Sequence, residues 1–418
     1  MKKILFINPP VMCVNECQQG WYSFAHPTSI LKLINWHRQQ GHEISFIDCM
    51  EYDIRNAKTL EFYKTLPLGA SNLDLEIDTF ILGKSLSWLT EQLRKEEEPD
   101  EVWISCHITF NSGIAHQAIE IIREIYNKTR IIFGGSYPTL FPEDAAKSGA
   151  EVFSGLYEPA QAIFPDYSYF SHLSDYIVFQ LDLGCENRCS HCVNHKLVKN
   201  IVRFDIEELV EDLRKKQQTY KIDNFINIDP NVAIYDLEPF LEACIRRGLQ
   251  INLFFYGGIQ PDKVTKKLVK LMKKATVRGI TLPRELDNRA NINLQKNYKA
   301  EDFRKAVNLF RNQNVDISDF HCSFPVGFKD DCLIEISSII YEMNNLGTIA
   351  EIAPVAFIPE TPEYTRHAEL LAGKSLEELN WALWPALDSA EKILIHSRLY
   401  NLAHGNKFKL PWKIKSRS

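Results

Sequence analysis

Short apolar runs rich in isoleucine, valine and phenylalanine recur along this chain, and most are followed by apolar residues at helical spacing. In the first part the runs are "KILFINP", "HEISFIDC", "PDEVWISC", "RIIFGG" and "EVFSG". Between them, "TSILKLINWHRQQG", which ends in Gly41, and "GIAHQAIEIIREIYNK" read as amphipathic helices. The looser stretch between Cys49 and Pro99 also reads as helical. Such alternation predicts a parallel sheet with helices on both faces. Ligands of such sheets bind at the carboxyl ends of the strands. Those ends read "NPPV", "SCHIT", "GGSYPT" and "SGLYEP", with the small and turn-forming residues of a loop-lined rim, although a tight turn uses the same residues.

"FPDYSYFSHLSD" has no period and reads as a linker. A second series follows, with strands "YIVFQLDL", "NFINID", "INLFFYG", "VRGITLP", "VDISDFHCSFP" and "IAEIAPVAF". Helical patterns such as "DIEELVEDLRKKQQTY" and "DKVTKKLVKLMKKA" separate them. Six consecutive βα units predict a partial barrel whose chemistry sits at the carboxyl ends of its strands. The last stretch reads as helical, broken near Pro385, and is expected to cover one side of the barrel. The expected organisation is therefore α/β. It comprises a Rossmann-like doubly wound domain over residues 1–165, a partial (β/α)6 barrel over 175–365 and a short helical extension over 366–418.

Composition narrows the function classes. The 418 residues are enough for two domains with proper cores, and no apolar run is long enough to span a bilayer. A net charge of −6 gives no global reason to expect nucleic acid. The basic tail "NKFKLPWKIKSRS" reads as a solvated end or a docking site for an acidic partner. The N-terminal apolar run stops at Asn8-Pro9-Pro10 and reads as a strand, not a signal peptide. Ten cysteines are spread along the chain, which does not resemble a disulfide scaffold; a reducing cytoplasm is the expected compartment. "CVNEC", Cys13 to Cys17, has no further ligand pair nearby that would make it a metal site.

Three cysteines are grouped. In "LGCENRCSHC", Cys185, Cys189 and Cys192 follow the first strand of the second series, at the mouth of the predicted barrel. A structural zinc site closes a tetrahedron with four ligands, which His191, His195 or a distant cysteine would have to complete. A cubane iron–sulfur cluster takes one thiolate per iron, so three cysteines leave one iron open to a small molecule. A catalytic site uses such an opening; a structural one does not.

The spacing C-x3-C-x2-C, with the ring of His191 before the last cysteine, resembles the motif of the radical S-adenosylmethionine (radical SAM) superfamily. "IDNFINIDPN" with Asp229, "GITLPREL" with Glu285, "FHCSFPVGFKDD" and "PVAFIPETPEY" resemble later strand segments of that family. The last two lack its glycines. The first 165 residues are similar to the cobalamin-binding domain that precedes many radical SAM barrels, through "ILFINPP", "SILKLINWHRQQGHEISFIDC", "PDEVWISCHIT", "IIFGGSYPTLFPEDA" and "GLYEP".

The resemblance implies a [4Fe-4S] cluster on the three cysteines, S-adenosylmethionine (SAM) on its open iron, and cobalamin. No Asp-x-His-x-x-Gly motif follows the first strand, so cobalt is expected without a protein histidine. His191, Asp229 and Glu285 are the candidates for SAM. Pro9, Ser105, His107, Thr109, Gly134, Gly135, Ser136, Gly155 and Tyr157 are the candidates for the corrin and its tail. Tyr256, closing the third strand, and Glu285 are the candidate catalytic residues. The implied reaction is methyl transfer from methylcobalamin to an unactivated carbon of a small molecule or short peptide. A non-methylating rearrangement or cyclisation is the alternative, and a zinc-stabilised binding protein the minor one. The implied partner is an electron donor such as flavodoxin or ferredoxin, with neither nucleic acid nor membrane.

Overall fold

The computed structural model describes residues 1–14, 26–50, 60–170, 173, 175–286, 299–403 and 413–414. Cys17 and most of the basic tail lie outside the described residues. The chain forms two compact units. One comprises residues 1–174, 369–385 and 411–418; the other comprises 175–368 and 386–410. No helix among the described residues is long and apolar enough to cross a membrane.

In the first unit the elements are β1 (Lys3–Asn8), β2 (Val11–Cys13), α1 (Thr28–Gln39), β3 (Glu43–Asp48), β4 (Leu60–Pro67) and β5 (Leu75–Leu82). They continue with α2 (Leu86–Leu93), β6 (Glu101–Ser105), α3 (Ser112–Ile125), β7 (Arg130–Gly134) and β8 (Glu151–Val152). The main sheet has the order β3-β1-β6-β7-β8, and every pair is parallel. This is the flavodoxin-like order, which reverses direction between β1 and β6. Both faces are covered. Leu5, Ile7, Val102, Ile104 and Phe133 pack in one core with residues of α2 and α3. On the other face Phe6 and Trp103 meet His37 of α1. Four consecutive residues of β1, Ile4 to Ile7, are therefore buried.

The stretch after Cys49 corrects the sequence reading. Where a helical region is expected, residues 60–82 form an antiparallel pair, β4 and β5, and β2 pairs with β5. The alternation in "LEIDTFIL" has the period of two of a half-buried strand, not the 3.6 of a helix. The segment 369–385 belongs to this unit. Gly69 N–H donates to Leu383 O at 2.7 Å, Lys374 Nζ to Gly69 O at 2.6 Å, and Lys64 pairs with buried Glu377.

The second unit is built from β9 (Tyr176–Phe179), β10 (Asp182–Leu183), β11 (Val202–Arg203), α4 (Ile206–Tyr220), β12 (Asn224–Asn227) and α5 (Ile234–Arg246). Next come β13 (Asn252–Phe255), α6 (Lys266–Lys274), β14 (Val277–Pro283), α7 (Ala300–Asn312), β15 (Phe320–Val326), α8 (Leu333–Leu346) and β16 (Ile349–Pro354). Helix starts follow local chemistry: Asp205 caps α4 through Glu208 N–H, and Thr265 caps α6 through Leu268 N–H. The six long strands pair in sequence order, β9-β12-β13-β14-β15-β16, all parallel. Right-handed crossovers in a strictly sequential sheet put every helix on one face. The strands alternate accordingly: on β15, Phe320, Cys322, Phe324 and Val326 are buried, while His321, Ser323 and Pro325 are half-buried. After the long strands, α9 (Ala390–Ala403) packs on α8 and β16.

Candidate functional site

The cysteine loop is closed at its base. β10 pairs antiparallel with β11, Asp182 opposite Arg203 and Leu183 opposite Val202, so residues 184–201 form a bounded excursion beyond β9. Gly184 has φ +113°, a left-handed conformation, and an added Cβ would lie 3.2 Å from Val198 and 3.3 Å from Ile201. Among the described residues none of the three forms a disulfide; Cys189 is buried and Cys185 and Cys192 are half-buried. Cys192 N–H donates to Cys189 O at 3.0 Å, and Asn194 N–H points to Cys192 Sγ at 3.5 Å.

A second loop steadies the first. Ser190 Oγ donates to Glu363 Oε1 at 2.9 Å, and Glu363 N–H donates to Ser190 O at 3.2 Å. Lys196 Nζ reaches Glu360 O at 3.1 Å and Oε2 at 3.2 Å. Glu360 and Glu363 follow β16, whereas the cysteines follow β9. These are the two edge strands of the open sheet, so loops bridge the gap that strands leave. The sequence did not flag Ser190 or Glu363, because nothing local to either marks a partner 173 residues away.

Among the described residues, no three His, Cys, Asp or Glu side chains converge as ligands of a single ion. A cubane makes a different demand, since each thiolate binds its own iron. Three cysteines on one short, anchored loop, with a backbone N–H directed at one sulfur, have the chemistry of that donor set. His191 sits beside Cys192 and is half-buried.

Asp229, two residues beyond β12, is neither a helix cap nor a surface carboxylate: it is 1% exposed. Its Oδ2 accepts from Leu181 N–H at 2.9 Å and Asn227 Nδ2 at 2.8 Å, the backbone N–H of Asp182 also faces the carboxyl, and Oδ1 is buried. Burial and the nearby Asp182 push its pKa up to about 8. Asp182, which the sequence reading treated as part of a strand, is also buried, and burial followed by the charge of Asp236 raises it to about 7. Two acids thus stand close together just before the cysteine loop. Glu285 is buried beyond β14. Its neighbour Arg284 pairs with Glu342 at 2.9 Å.

Tyr256 follows the last residue of β13 and donates to Asp319 Oδ2 at 2.7 Å. Burial and that bond raise its pKa. Asp319 Oδ1 lies 3.2 Å from His321 Nε2, and Glu351 Oε2 lies 3.5 Å from His321 Nδ1. Burial opposes charge on His321, but the two carboxylates outweigh it and hold its pKa up to about 9.

In the first unit, Pro9, Ser105, His107 and Thr109 lie at or beyond the carboxyl ends of β1 and β6, the two strands at the switch point. Asn111, from the same turn, accepts Met12 N–H at 2.9 Å and ties the two ends together. Gly134 ends β7, and Gly135 leads into a short helix that Ser136 begins. Gly135 has φ +107°, and an added Cβ would lie 2.5 Å from Cys106 O, so this glycine lets two strand-end loops touch. Gly155, at φ +91°, has nothing among the described residues within 4 Å of an added Cβ. Tyr157 packs its ring on Trp36, Trp103 and Phe153. Cys13, buried in β2, and Cys185 belong to different units.

No protein-family model matches the sequence, and no curated protein matches it. The chain is similar in structure to the radical S-adenosylmethionine methyltransferase TsrM from Kitasatospora setae. Against TsrM with tryptophan substrate and the SAM analogue aza-SAM bound, identity is 15% and the TM-score 0.64, over 89% of this chain and 77% of that one. Against TsrM with cobalamin and a [4Fe-4S] cluster bound, identity is 15% and the TM-score 0.62, over 89% and 78%. The likeness shows a shared fold: a doubly wound unit followed by a six-stranded parallel unit.

Proposed function

We propose that this chain is a cobalamin-dependent radical SAM enzyme that methylates a carbon of a small molecule or short peptide. The observation that carries the reading is the placement of Cys185, Cys189 and Cys192 on the loop after the first strand of the sequential six-stranded sheet. The fold shared with TsrM, which binds cobalamin, a [4Fe-4S] cluster and a SAM analogue, supports it.

In this reading the three thiolates hold three irons, and Gly184, Ser190 and Glu363 fix the loop that carries them. When bound, the cluster supplies the electron that cleaves SAM, and cobalamin supplies a methyl group that a carbon radical can accept. Asp229 is held by Leu181 and Asn227 so that its second oxygen remains able to accept a hydrogen bond, as the amino group or ribose of SAM would require. Glu285 is the second candidate for that role. Pro9, Ser105, His107, Thr109, Gly134, Gly135, Ser136, Gly155 and Tyr157 are assigned to the corrin side, without a histidine ligand to cobalt. An electron donor of the flavodoxin or ferredoxin kind completes the scheme.

The test is product stoichiometry under anaerobic conditions. Methylation forms 5′-deoxyadenosine and S-adenosylhomocysteine together, roughly one of each per product. A product of unchanged carbon count, with deoxyadenosine alone, moves the assignment to rearrangement or cyclisation. Zinc in place of iron would return the chain to a binding role.

A further inference from the structure

The face of the second sheet opposite its helices carries polar groups that the cysteine loop does not use. Register places Tyr256, Thr281 and His321 at one level, since Phe255 pairs with Ile280, Ile280 with Phe320, and Thr281 with His321. That level is where the shorter strands β9, β12 and β13 end. Glu351 projects from the same face of β16, and Tyr256 reaches Asp319 across Gly279. An added Cβ on Gly279 would lie 2.6 Å from Asp319 Oδ2 and 2.8 Å from Tyr256 Oη. Thr281 is 4% exposed, and its Oγ1 is buried without a hydrogen-bond partner among the described residues.

We infer that Tyr256, Thr281, Asp319, His321 and Glu351 form a subsite for the ammonium group of a small-molecule amine. Calling that amine the substrate rests on the proposed function; the binding itself does not. The charge count favours a cation. Among the described residues, the charged groups acting on His321 and Tyr256 are Asp319 and Glu351, so one imidazolium stands there against two carboxylates. An ammonium restores neutrality and brings three donors, which suit two carboxylates and a hydroxyl that lacks a partner. An anion would meet both carboxylates. A purely structural network would not leave the buried Thr281 hydroxyl unused, and the Asp319 side chain, 39% exposed, keeps the group open to a ligand.

The experiment titrates the full chain with benzylamine at pH 7, where it is an ammonium, and with benzyl alcohol as its uncharged match, following heat of binding. The wild-type protein should bind benzylammonium at least tenfold more tightly than the alcohol. Glu351→Gln should remove that preference and leave alcohol binding unchanged. Thr281→Val, which keeps shape and charge, should weaken the amine about threefold and serves if Glu351→Gln does not fold. Equal binding of amine and alcohol by the wild type, or full amine binding by the folded variants, overturns the subsite. Because binding is read without turnover, a protein that takes the amine but never cleaves SAM would overturn the proposed function and leave the subsite standing.

Discussion

β1 and β15 are both interior strands of parallel sheets, yet they distribute their side chains differently. Ile4, Leu5, Phe6 and Ile7 of β1 are each at most 1% exposed, in an unbroken run. In β15 the buried Phe320, Cys322, Phe324 and Val326 alternate with half-buried His321, Ser323 and Pro325. The first sheet has helices on both faces and the second on one, so only the second leaves a face for polar chemistry. The same contrast sets the state of two histidines. His37 lies among Phe6, Trp36 and Trp103, and burial lowers its pKa to about 4. His321 lies between two carboxylates and is held near 9.

The largest expected effect tests the two-faced burial. Leu5→Ala and Phe6→Ala, on opposite faces of β1, should each cost about 2–5 kcal/mol. In β15, Phe324→Ala should cost a similar amount, while Ser323→Ala should stay within about 1 kcal/mol. Denaturant unfolding measures all four. Comparable losses at Phe324 and Ser323 would break the comparison.

The next effect is on pH dependence, with opposite signs. His37 is depressed, so above pH 6.5 it costs nothing. Between pH 6.5 and about 4 the unfolded chain takes up its proton first, and stability falls as pH falls. His321 is raised, so its stabilisation is fully present below pH 6.5 and is lost as pH rises through about 9. Each shift is worth on the order of 3 kcal/mol across its window. Thermal midpoints should fall on both sides of pH 6.5. His37→Phe should flatten the acid limb and His321→Asn the alkaline limb; a slope unchanged in either variant would contradict its assignment.

The smallest effects concern the bridge between edge loops. Ser190→Ala removes a buried hydrogen bond to Glu363 and should cost about 1–2 kcal/mol. Lys196→Ala, at a more exposed pair with Glu360, should cost under about 1 kcal/mol. Iron retention on dilution should follow the same order. If Lys196→Ala loosened iron more than Ser190→Ala, the buried contact would not be what steadies the loop.

Much of this architecture was legible from local pattern. Unbroken and alternating apolar runs marked eleven parallel strands, and the spacing of Cys185, Cys189 and Cys192 marked the loop. What escaped depends on partners far along the chain. The β5 half of the β4–β5 pair carries a local period of two, but the pair's support by β2 and by the segment 369–385 lies outside any window around residue 60. Ser190 needs Glu363, Asp182 needs Asp229, and the chain from Tyr256 to Glu351 crosses three strands. Asp229 was legible as a strand-end acid, but its burial was not, because Leu181 and Asn227 supply its hydrogen bonds only in the fold.

The most direct test of the central claim is an iron and sulfide count after anaerobic reconstitution, on the wild type and on a variant with Cys185, Cys189 and Cys192 all replaced by alanine. The wild type should carry about four irons and four sulfides per chain with a brown chromophore. The triple variant should carry neither, and Cys13→Ala should match the wild type. A folded triple variant that keeps four irons per chain, or a wild type that takes up zinc and no iron, would contradict the account.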